Sequence, residues 1–152
     1  MADTIKRTTL IVRDAEAAAR WYEQVFGMTR QMDTLFTLSG QQLAAGAKGD
    51  RTRLVIMRAN HAEIGMIGLL EWVDPPMEAP PVATRIAFGA PIFVVAATDC
   101  RATVERARSL GSRIHCEPVE WSVTGFDGQP KAMLGASLFD LDGNFFEVNQ
   151  TL

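Results

Sequence analysis

Asp140-Leu141-Asp142-Gly143-Asn144, followed by Phe145-Phe146-Glu147-Val148-Asn149, sets one carboxylate among apolar residues near the end of the chain. Asp, Gly and Asn are the residues of a tight reversal, and the run behind them has the composition of a strand. Alternation sends Phe145, Glu147 and Asn149 to one face and Phe146, Val148 and Gln150 to the other. A carboxylate in that setting can move a proton or accept from a bound donor. It can equally belong to a strand whose polar face meets water. Both readings stand at this point.

The other residues able to do chemistry are few. His115 alternates with Arg113 and Glu117 on one strand face, which fits either proton transfer or a solvent-facing strand. His61 falls in a loop signal. Cys100 and Cys116 form no C-x-x-C pair, define no disulfide framework and have no activating neighbour in sequence. Asp140, Asp142 and Asn144 resemble a calcium loop only superficially, because Gly143 comes too early and the distal bidentate Glu is missing. No Gly-rich phosphate motif occurs.

Positioning such residues requires a core, and 152 residues with 47% hydrophobic content suffice for one ordinary domain or two small modules. A net charge of −3 and scattered Lys and Arg give no case for nucleic acid or an anionic membrane as partner. No apolar run is long enough to span a bilayer, and the N-terminus lacks the apolar segment of a signal peptide. A cytoplasmic protein with reduced thiols is the expectation.

The elements recur. Thr8 to Val12 predicts a strand, Asp14 a helix N-cap, and Ala18, Trp21, Tyr22, Val25 and Phe26 a helical stripe stopped by Gly27. Strands are expected at Thr34 to Leu38, Arg53 to Met57 and Met66 to Val73, with a Gly-, Gln- and Ala-rich hairpin loop over Ser39 to Asp50. Four prolines between Pro75 and Pro81 predict an extended linker over 75–87. The opening then repeats: a strand over Ile92 to Ala97, an N-cap at Asp99, a stripe of Thr103, Val104, Ala107 and Leu110, and Gly111. Strands follow at Arg113 to Trp121, Ala132 to Phe139 and Phe145 to Asn149. Asp14 and Asp99 are equivalent points 85 positions apart. The chain therefore reads as α+β, two tandem βαβββ modules over 1–74 and 88–152, an internal duplication.

Such a duplication, with Leu10-Ile11-Val12-Arg13-Asp14 to Phe26-Gly27 near the start and Phe139 to Glu147 near the end, resembles the vicinal oxygen chelate superfamily. That group holds glyoxalase I, extradiol dioxygenases, fosfomycin-resistance enzymes and bleomycin-binding proteins. The resemblance implies curled mixed sheets around a shared cleft, often completed by a second subunit, so a homodimer is expected. Fold likeness by itself gives no reaction.

The family's metal enzymes place ligands, often His and Glu, at the start of the first strand and on the last strand of each module. Carried over, those positions fall on Arg7, Ile92, Gly68 (or Glu71 if the register slips) and Glu147. Arginine keeps its proton, and isoleucine and glycine offer no donor, so one carboxylate is left. The expectation is that the family's metal site is degraded and that no metal is bound, a divalent metal being the alternative. Arg7 and Glu147 are then the candidate catalytic or ligand-binding pair, joined by Trp72, Trp121, Phe126 and Phe145 as the apolar lining of a small-molecule site. Ordinary core packing is the competing reading for each aromatic. Two classes of function fit: a protein that holds a small, partly apolar organic molecule unaltered, or a metal-independent isomerase or lyase with Glu147 as acid or base. A metal-dependent lyase or dioxygenase is the third.

Overall fold

The computed structural model describes residues 1–152, which divide into two compact units, Met1–Pro81 and Val82–Leu152. The first contains β1 (Arg7–Ile11), α1 (Ala15–Phe26), β2 (Thr29–Thr37), β3 (Arg51–Arg58) and β4 (Met66–Asp74). The second contains β5 (Ile92–Ala96), α2 (Cys100–Ser109), β6 (Arg113–Thr124), β7 (Pro130–Phe139) and β8 (Phe145–Thr151). Each is a βαβββ module with one open, mixed, four-stranded sheet, in order β1-β4-β3-β2 or β5-β8-β7-β6. The first strand of each module runs parallel to the last, and the remaining pairs are antiparallel. No helix is long and apolar enough to cross a membrane.

Both helices start as the sequence dictates. Asp14 Oδ1 accepts from Ala17 N and Asp99 Oδ1 from Ala102 N, each at 2.9 Å, satisfying one orphan donor of the first turn. Gly27 ends α1 in the left-handed region at φ 67°. A second acceptor serves each helix start. Glu71 Oε2 takes Ala15 N, and Gln150 Oε1 takes Cys100 N, both at 2.9 Å. Glu71 and Gln150 lie 79 positions apart on equivalent strands, so the duplication reaches individual side chains.

Alternation then settles the faces. Val55, Met57 and Leu69 meet Trp21, Tyr22 and Val25 of α1 in the core of the first unit, all nearly inaccessible. Phe146, Val148, Leu138, Val104 and Cys100 do the same in the second. Burial raises the Cys100 thiol pKa, and its Sγ faces Val148 O at 3.4 Å, so it is core, not nucleophile. Cys116 is exposed and free.

Beside α1, a charge network ties helix to sheet. Arg30 makes a two-point contact with Glu16, both bonds 2.8 Å, and a third with Glu23. Arg53 bridges Glu16 and Asp33. The paired guanidiniums hold the Glu16 carboxyl at about 2, against an ordinary 4.5. A depressed folded-state value means the stabilisation is complete above the unfolded value and is lost as pH falls through the folded one. Melting curves from pH 6 downward should therefore show the advantage of the parent over Glu16→Gln holding to about pH 4.5 and closing towards pH 2. A constant gap would contradict the network's role.

The strands run longer than their sequence signals. β2 begins at Thr29, not Thr34, and β6 reaches Thr124. Thr29 to Asp33 is a polar edge segment with most side chains in water, which apolar alternation does not register. The 75–87 stretch carries neither helix nor strand. Its first part is held by Arg13, which donates to Pro80 O, and its later part by Arg113, which donates to Thr84 O at 2.8 Å.

Candidate functional site

The sheet face away from α1 carries the odd residues of β1 and the even residues of β4 and β3. Thr9 pairs with Gly68 and Leu10 with Leu69, so Gly68 stands on this open face while Glu71 points to the helix start. The register of β5 on β8 repeats this, with Val94 opposite Glu147. Gly68 and Glu147 are thus equivalent positions 79 residues apart. Glu71, the alternative in a slipped register, is committed to capping α1. A Cβ on Gly68 would lie 2.6 Å from Thr9 Oγ1, so the threonine fills the space a side chain there would need.

A cavity of about 430 Å³ opens on this face. Leu54 and Leu70 form its floor, Arg7 and Thr9 one edge, Phe36 and Thr37 another, and the segment from Leu38 to Ala45 lines the remainder. That size falls within the range of small-molecule pockets. The loop beyond β2 is held in place by its own bonds. Leu38 N donates to Asp50 O (2.8 Å) and Gly49 N to Leu38 O (3.0 Å). The Asp50 carboxylate takes Ala47 N at 2.8 Å and the Trp72 indole N–H at 3.1 Å. Gly46, at φ 69°, sits so close over the indole that a Cβ would come within 2.6 Å of Nε1. Trp72 is therefore buried in a cluster with Leu38, Leu54, Ile56 and Leu70, with Ala45 packed against it. It carries the loop and lies outside the cavity lining.

Arg7 does line the cavity. Its Nε donates to Thr9 Oγ1 at 3.0 Å. Thr9, Leu38, Leu43, Leu54 and Leu70 carry no joint signal in the sequence because four separate segments supply them. The available hint was Leu43-Ala44-Ala45, an apolar run inside an otherwise Gly- and Gln-rich loop.

In the second unit Glu147 is exposed on the open face of β8, between Phe145 and Asn149 and beside Val94 and Ser137. Phe145 packs edge-on against Phe139, centroids 5.0 Å apart, and His115 stands edge-on to both. Arg113 lies over the Phe139 ring at 5.6 Å. The expected grouping of Arg113, His115 and Glu117 does not hold. Register shifts between Ile114 and Val119 break the alternation, and Glu117 pairs with Arg108 of α2 at 2.7 Å. Trp121 lies against Gly135 together with Asn149, and a Cβ on that glycine would meet Trp121 Nε1 at 2.6 Å. Phe126 is fully exposed at the β6–β7 turn. His61 Nδ1 accepts from Glu63 N and Ile64 N, both at 3.0 Å, a turn-forming role. Asp140 is likewise spent on its turn, its Oδ1 accepting from Asp142 N and Asn144 N.

The chain contains no group of three or more His, Cys, Asp and Glu side chains arranged to hold a metal ion. Arg7, Ile92, Gly68 and Glu147 together offer one anionic donor, which does not suit a divalent cation.

Comparison with curated proteins gives no match. Among solved structures, a glyoxalase family protein from Bacillus cereus superposes with a TM-score of 0.81 at 14% identity, over 100% of this chain and 96% of that one. The trypanothione-dependent glyoxalase I of Leishmania major gives 0.63 at 14% identity, over 98% and 87%. TioX from Micromonospora sp. ML1 gives 0.56 at 17%, over 99% and 100%. At these identities the likeness is one of fold. The profile of the Glyoxalase/Bleomycin resistance protein/Dioxygenase superfamily matches residues 4–148. With both βαβββ modules covered by that match, the chain belongs to the glyoxalase/bleomycin resistance protein/dioxygenase superfamily.

Proposed function

We propose that this protein binds a small, partly apolar organic molecule in the cavity of its first unit and holds it without the family's divalent metal. The observation that carries the reading is the cavity itself, floored by Leu54 and Leu70 and enclosed by the loop that Trp72 and Asp50 anchor. Its lining has no carboxylate, imidazole or thiol. It therefore offers binding surface and no group that exchanges protons near neutrality. For the same reason the cavity lends nothing to an isomerase or lyase working through Glu147, which remains the alternative. The metal is left out because the family's four positions supply one carboxylate. A homodimer completes the reading, supported by Ile92, Val94 and Val119, exposed apolar side chains of the second unit.

N-Phenyl-1-naphthylamine, an uncharged apolar fluorophore, probes the pocket. It should bind the parent protein with enhanced fluorescence, and Thr37→Trp or Leu43→Trp, each placing a bulky ring at the lining, should weaken it about tenfold or more. Binding unaffected by either substitution, in variants that melt like the parent, would refute the site.

A further inference from the structure

The cavity is electrostatically one-sided. Arg7 is the single charged residue in its lining, and its polar neighbours Thr9, Thr37, Ser39 and Gln42 are all neutral. Arg30 and Arg53, on the helix side of the same sheet, are each matched by two carboxylates. Arg7 instead donates only from Nε, to a threonine hydroxyl two residues along its own strand. That bond orients the guanidinium and leaves both terminal amino groups without a protein acceptor. A planar fork with an unneutralised charge, beside an apolar floor, matches an oxyanion at one end of an otherwise apolar molecule. One cation and no second basic group set the charge at one, since a dianion would keep an unpaired charge beside apolar surface.

Resting on the small-molecule reading of this pocket, we infer that its ligand is a monoanionic organic acid, a carboxylate or sulfonate. Its anionic end meets the Arg7 amino groups, and its apolar body lies against Leu54, Leu70 and Leu43. Thr9 is a positioning residue that acts through the guanidinium. Arg7 stands at the exposed start of β1, so the attraction is partly screened and weakens with salt.

The test compares two probes of one skeleton, 8-anilinonaphthalene-1-sulfonate and uncharged N-phenyl-1-naphthylamine, on the parent, Arg7→Gln and Arg7→Lys. Arg7→Gln should raise the Kd of the sulfonate roughly tenfold and that of the neutral probe by about twofold at most, with Arg7→Lys in between for the sulfonate. Thr37→Trp should weaken both, locating both in the cavity. Equal loss of both probes on Arg7→Gln, or loss of neither, overturns the anionic ligand while leaving the pocket in place. Failure of both probes to bind the parent overturns the pocket reading as well. Sulfonate binding that survives Thr37→Trp and Leu43→Trp places the anion elsewhere and counts against the inference.

Discussion

Trp72→Ala is expected to abolish ligand binding in the first unit and to lower its stability by about 3 kcal/mol, the lower end for large-to-small aromatic truncation. The low end applies because the cluster it serves is small and the loop above it can settle inward. Two separable contributions are removed. The indole fills the space under Ala45 and Gly46, and its N–H completes the acceptor set of Asp50, which in turn fixes Ala47. Trp72→Phe separates them, since the ring keeps most of the apolar area and loses the donor. That variant should lose about 1–2 kcal/mol and part of the affinity. Denaturant titration and N-phenyl-1-naphthylamine binding on the three proteins would measure both. Unchanged affinity in Trp72→Ala would mean that the 38–50 loop is no part of the site.

Trp21→Ala is expected to be the most damaging single truncation, at about 3–5 kcal/mol. The side chain is 2% exposed. Its ring meets Tyr22 and Phe26 edge-on, with centroids 4.9 and 5.2 Å apart, and each such pair adds to the area term. Ala15, Ala18 and Ala19 of the same helix are small and buried, so none of them can fill the hole. The loss should appear as a lower denaturant midpoint with little change in slope. A cost under about 1 kcal/mol would mean that the α1 interface relaxes around the gap.

The fold was legible where local chemistry and burial pattern agree. Asp14 and Asp99 announced both helix starts, Gly27 one helix end, and the Phe145–Gln150 alternation placed each side chain on the face it occupies. Legibility failed where one element departs from a fixed period. The bulged region of β6 separates Glu117 from Arg113 and His115, and polar Thr29 to Asp33 gives no apolar signal for an edge strand. Of the candidate site residues, Arg7 alone lies in the cavity lining, a strand position that can be counted from a cap. Aromatic type alone does not report position: Trp72 works beneath a loop and Phe126 sits in water. The floor and edges of the cavity come from residues far apart in sequence, brought together by the β1–β4 and β3–β4 registers. No spacing within one segment reports such an arrangement.

Amide chemical-shift mapping of N-phenyl-1-naphthylamine on the full chain tests the central claim most directly. Perturbations are expected to cluster at Thr9, Leu38 to Ala45, Leu54 and Leu70. Shifts confined to the β5–β8 face around Glu147 and Trp121, or none at saturating probe, would contradict a ligand site in the first unit.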